Sequence, residues 1–98
     1  MTALPADDPV LKRYRAALDD IYGERIERVV LFGSRARGDA RPDSDYDVAV
    51  FLKTLPDRWA EQRRLADLRV KFLDDADAFF DTKPYASLAW FERHAAHA

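Results

Sequence analysis

The sequence predicts a small α/β domain with helices packed on a β-sheet. Three observations point there. Apolar positions recur at helical spacing over residues 9–22 and 58–73. Runs of β-branched and aromatic residues of strand length stand at 26–32 and 45–52. Turn-forming residues separate these segments, in a 98-residue chain that is 48% hydrophobic and holds only three glycines. A chain of this length hides roughly 60–65% of its unfolded surface on folding, enough for one modest core. Residues 1–98 therefore read as a single domain.

Residues 1–7 read as a frayed leader. Asp8 followed by Pro9 reads as a helix start, with a capping carboxylate before a proline at the first helical position. Val10, Leu11, Tyr14, Ala17, Leu18, Ile21 and Tyr22 then share one face, and Gly23 suits the helix end. Residues 26–32 form an apolar, β-branched run that ends at Gly33, the pattern of a buried strand. The stretch 33–44 is polar and turn-forming. A second strand is expected at 45–52, with Asp45, Asp47, Ala49 and Phe51 on one face and Tyr46, Val48, Val50 and Leu52 on the other. Asp57 caps a helix over 58–73, whose apolar positions include Trp59, Leu65, Leu68, Val70, Phe72 and Leu73. A third strand is expected at 77–81, ended by Pro84, and a last short helix at 87–94. The large aromatics, Trp90 among them, read as core or partner surface. His94 and His97 read as a frayed tail.

Composition excludes several classes. No stretch approaches the roughly 20 apolar residues that span a bilayer, and the N-terminus lacks a basic segment followed by an apolar one. Cysteine is absent, which removes disulfides, thiolate metal sites and cysteine nucleophiles. These features suit a cytoplasmic chain with no membrane association. Sixteen basic and 18 acidic residues leave a net charge of −2, so no global field holds a nucleic-acid backbone and direct nucleic-acid binding is not expected.

Chemistry concentrates in one stretch, Gly33-Ser34 through Asp45-Tyr46-Asp47. Two aspartates at i, i+2 on a strand share a face and can both ligate divalent cations. Without a cation their repulsion would raise one pKa at a cost in stability. Gly33 lets the backbone approach a phosphate, and the Ser34 hydroxyl and nearby N–H groups can donate to it. Arg35, Arg37 and Arg41 add positive charge, although not all can face one site. Metal-binding carboxylates beside a phosphate-binding turn indicate phosphoryl or nucleotidyl transfer.

Gly33-Ser34, ten residues, then Asp45-Tyr46-Asp47 resembles the signature of the DNA polymerase β-like nucleotidyltransferase superfamily. The fuller run, Gly-Ser-Arg-Ala-Arg-Gly-Asp followed by Ser-Asp-Tyr-Asp-Val-Ala-Val, resembles the minimal nucleotidyltransferases, the MNT proteins. The motif occupies residues 29–52. The resemblance implies an α+β fold, a small mixed sheet with helices packed on it. It implies Asp45 and Asp47 as ligands of two Mg²⁺ ions, Gly33 and Ser34 as holders of the triphosphate, and Arg37 as a phosphate contact. Ser44 organises the turn. The group moved would be AMP from ATP. In the antitoxin subgroup the acceptor is a tyrosine hydroxyl on a HEPN-domain ribonuclease toxin, which modification silences.

The superfamily also places a third carboxylate on a later strand, as base and metal ligand. Asp77 and Asp81 flank the apolar run 78–80 with even spacing, so alternation does not choose between them. Asp81, at the end of the run, is the preferred candidate, and neither remains an alternative. Two readings therefore stand together. One is an adenylyltransferase that uses Asp45, Asp47 and Asp81. The other is an antitoxin that neutralises its HEPN partner by docking, with a weak or inactive site.

Overall fold

A computed structural model describes residues 2–5 and 7–87. In chain order it contains β1 (Thr2–Ala3), α1 (Pro9–Tyr22), a 3-10 turn (Gly23–Arg25), β2 (Ile26–Phe32), α2 (Ser34–Arg37), β3 (Tyr46–Leu52), α3 (Arg58–Ala76) and β4 (Phe80–Ala86). The strands form one sheet in the order β1-β2-β3-β4. The first two pairings are antiparallel and β3–β4 is parallel, with α3 as the crossover. This is a mixed α+β architecture, consistent with the polymerase β-like nucleotidyltransferase fold.

Local chemistry explains the elements that match expectation. The Asp8 carboxylate accepts from the N–H groups of Val10 and Leu11 at 2.9 and 3.1 Å, and Pro9 occupies the first turn. Helix α1 ends at Gly23, whose φ is 54°. Leu11, Tyr14, Leu18 and Tyr22 from α1, with Leu65, Leu68 and Phe72 from α3, pack against Val29, Leu31, Val48, Val50, Leu52 and Phe80. Val30, Ala49 and Phe51 gather on the opposite face with Phe32 and Tyr85. Strand β3 thus alternates between faces as its sequence predicts.

Other expectations are corrected. The segment read as a frayed leader contributes β1, whose Thr2 and Ala3 pair with Leu31 and Val30. The polar connection after Gly33 opens with the one-turn helix α2. Strand β3 begins at Tyr46, so Asp45 stands just ahead of it. Helix α3 runs to Ala76 and ends at Asp77, which takes a left-handed φ of 50°. The third long strand is therefore Phe80–Ala86, displaced from 77–81, and Pro84 lies inside it opposite Val50. A proline is tolerated there because β4 forms the edge of the described sheet.

Helix α3 also buries fewer apolar residues than its sequence suggests. Trp59 and Val70 are 76% and 56% exposed, while Glu61 is only 4% exposed. Glu61 is paired with Arg25 at 3.2 Å and Arg64 at 3.5 Å. The helix expected at 87–94 lies, beyond Ser87, outside the described residues, as do Trp90, His94 and His97. No helix among the described residues is long and apolar enough to cross a membrane.

Candidate active site

Strand β2, Gly33 and α2 form a strand–turn–helix corner against β3. Phe32 and Asp47 are register partners, so Gly33 arrives directly beside the Asp47 side chain. Gly33 has φ 75° and ψ −154°, a region that side-chain-bearing residues rarely occupy. A Cβ at this position would overlap Oδ2 of Asp47 and lie 3.2 Å from its Cγ. Glycine is required here both by conformation and by close approach. Beyond it, the N–H of Arg37 donates to the Gly33 carbonyl and that of Asp39 to the Ser34 carbonyl, both at 3.1 Å.

The parallel pairing of β3 and β4 supplies a second acid. Asp47 and Asp81 are register partners, and the period-two alternation of adjacent strands puts partnered side chains on one face. Burial pushes the Asp47 carboxyl above its ordinary range. Repulsion from Asp81 and then Asp45 adds to the shift, while Lys83 and Arg37 oppose it. Two of the sequence-predicted acids, Asp81 and Asp45, thus act on the third, Asp47. Asp77 is exposed and outside the strand, so the premise that it shares a strand face with Asp81 does not hold.

The basic residues divide their roles. Arg37 is exposed on α2, with Nε 3.4 Å from Oδ2 of Asp39, and its charge reaches Asp47. Arg35 turns instead into the 38–44 connection. It donates to the carbonyls of Arg41, Pro42 and Ser44 and stacks on Tyr46. Ser44 closes the same turn, its hydroxyl accepting from the Arg41 N–H at 2.9 Å. Tyr46 donates its hydroxyl to Oδ2 of Asp8 at 3.1 Å. Burial first, and then the Asp8 charge, raise the Tyr46 pKa and keep that donor protonated.

Sequence reasoning missed two features, the Asp8–Tyr46 link and the inward role of Arg35. An arginine next to a phosphate-binding turn reads as a source of positive charge until the path of the following loop shows where its donors go. Asp8 signals only a helix cap, because its second oxygen finds Tyr46 through tertiary contact.

Asp45 and Asp77 both border a cleft of about 600 Å³ between the 42–46 segment and the end of α3. The acids fit a hard divalent cation in donor chemistry. Their mutual repulsion and the glycine held against Asp47 describe a place where added positive charge is favourable. Among the described residues, however, no three His, Cys, Asp or Glu side chains gather into a chelating group. Mg²⁺ does not demand one, since it is often bound through one or two carboxylates together with substrate phosphates.

Two relatives from Methanocaldococcus jannaschii align with parts of the chain. One, named "Putative protein adenylyltransferase MJ0141", is 38% identical over 47 residues, 48% of this chain and 48% of that protein. The other, "Putative protein adenylyltransferase MJ0604", is 39% identical over 44 residues, 45% of this chain and 44% of that protein. The chain thus spans about half the length of the curated relatives it matches. No solved structure matches significantly. The family model described as a nucleotidyltransferase domain matches residues 11–88, from the first turn of α1 past the end of β4. Because that match spans most of the chain and its range takes in the Gly33 corner and all three acids, the chain belongs to the nucleotidyltransferase domain family.

Proposed function

We propose that this chain is a Mg²⁺-dependent adenylyltransferase that moves AMP from ATP to a protein hydroxyl. One observation carries the reading: Asp81 stands beside Asp47 across the β3–β4 pair, and Gly33 packs against the same carboxylate. The names of the two relatives support a protein acceptor. Following the resemblance to MNT proteins, the acceptor is a tyrosine of a HEPN-domain ribonuclease toxin, and this chain is its cytoplasmic antitoxin.

The residues divide the work as follows. Gly33 and Ser34 receive the triphosphate, with Arg37 as a further phosphate contact. The acceptor oxygen bonds to the α-phosphorus, the bond from that phosphorus to the α–β bridging oxygen breaks, and pyrophosphate leaves with the electron pair. Asp81 takes the hydroxyl proton. Asp45 and Asp47, with Asp81, would hold Mg²⁺, which supplies charge stabilisation at the α-phosphate and the leaving group.

A second reading is neutralisation of the partner by binding alone, with a weak or inactive site. Incubation with α-labelled ATP, Mg²⁺ and the partner toxin separates the two. Label should appear on the partner and fall to background with Asp45→Asn/Asp47→Asn. Asp81→Asn should cost more activity than Asp77→Asn. A stable inhibitory complex without label would support the second reading instead, and equal labelling by the double variant would refute the catalytic assignment.

A further inference from the structure

We infer that Arg35 is a positioning residue for Asp45, and not a ligand of the nucleotide; the inference rests on the nucleotidyl-transfer reading of the same site. Its Nε donates to the Ser44 carbonyl at 3.0 Å, and Nη2 donates to that same carbonyl at 2.8 Å. Nη2 also meets the carbonyls of Pro42 at 3.2 Å and Arg41 at 3.4 Å. The guanidinium carbon lies 3.8 Å from the centroid of the Tyr46 ring. Two of the three guanidinium nitrogens and one face of the group are therefore committed within the protein.

The target of these contacts gives them their meaning. The Ser44 carbonyl belongs to the planar peptide unit whose nitrogen is that of Asp45, so gripping it sets the plane from which Asp45 departs. Stacking on Tyr46 fixes the residue on the other side. Asp45 precedes the strand and is exposed, so neither ladder pairing nor burial places it.

Tyr46 is itself a firm anchor. Its N–H donates to the Phe79 carbonyl at 2.8 Å, its ring stacks on Phe80 at 4.7 Å, and its hydroxyl meets Asp8. Arg35 thus ties the exposed end of the acidic pair to the anchored ring of Tyr46 beside it. The flat fork of a guanidinium suits several carbonyls and a ring at once, and a lysine ammonium does not.

Arg35→Lys and Arg35→Gln test this by three measurements. Amide hydrogen exchange over residues 41–46 should quicken about tenfold while the centres of β2 and β3 hold. Affinity for Mn²⁺ alone, without nucleotide, should weaken about tenfold or more. In label transfer, kcat should fall while KM for ATP stays within about twofold. Lysine should restore none of the three.

A raised KM with unchanged exchange and Mn²⁺ affinity would make Arg35 a phosphate ligand and overturn the inference. Loss of the fold in both variants would overturn it too, by assigning Arg35 to global stability. If Asp45→Asn weakens Mn²⁺ binding and the Arg35 variants do not, the inference fails while the proposed function stands. If the wild-type chain binds no Mn²⁺ and labels nothing, the proposed function fails, and the exchange result still decides whether Arg35 positions Asp45.

Discussion

Asp47 stands where the requirements of folding and of the proposed chemistry oppose each other. Burial and two neighbouring acids raise its pKa in the folded chain, so folding favours its neutral form. The stability this group contributes is present below the unfolded carboxylate range and is lost as pH rises through the raised value. Asp47→Asn should therefore stabilise the metal-free protein at pH 7, modestly because the group is only partly buried and solvent screens its neighbours. The gain should vanish near pH 3, as thermal melts across pH would show. Mg²⁺ should raise the melting temperature of the wild type and leave the variant unmoved. Gly33→Ala should cost about 1–3 kcal/mol in urea denaturation, from its backbone strain and its clash with Asp47. At this scale the sequence disclosed the Gly-Ser and Asp-x-Asp spacing, because both are local. It did not disclose that Gly33 touches Asp47, since that contact depends on the register of β2 against β3.

Among the elements, the end signals decide which were readable. Helix α1 was legible because Asp8, Pro9 and Gly23 mark its limits by local chemistry. Strand β4 was misplaced because Pro84 reads as a terminator when the position of the strand in the sheet is unknown. Helix α3 was legible as a helix, but its buried face was not. Its inward stripe includes Glu61, which is held by Arg25 from the 3-10 turn, a contact no helical periodicity contains. Arg25→Ala should leave that carboxylate buried with only Arg64 near it, and should cost about 2 kcal/mol after allowance for the 38% exposure of the Arg25 side chain. Adding Glu61→Gln should recover part of the loss, because a neutral amide is cheaper to bury than an unpaired charge. Equal urea midpoints for Arg25→Ala and the wild type would remove the pair from the account of stability.

For the molecule as a whole, the class of fold followed from patterning, while strand order and direction did not. Nothing in residues 80–86 states that they run parallel to β3. The sheet's order makes a graded prediction for native-state hydrogen exchange. Amides of residues 48–52, flanked by strands on both sides, should exchange slowest, and those of β1 and β4 sooner. Uniform protection across the sheet would contradict this. The same topology sets the timing of assembly. Asp47 and Asp81 come from strands separated in sequence by the whole of α3, so a chain leaving the ribosome carries the Gly-Ser corner and the Asp-x-Asp pair well before their third companion. Until α3 has docked and β4 has entered alongside β3, the facing acids do not exist. A nascent chain stalled ahead of residue 81 would display the motif without its facing acid, so the grouping of the three acids waits on the last described strand.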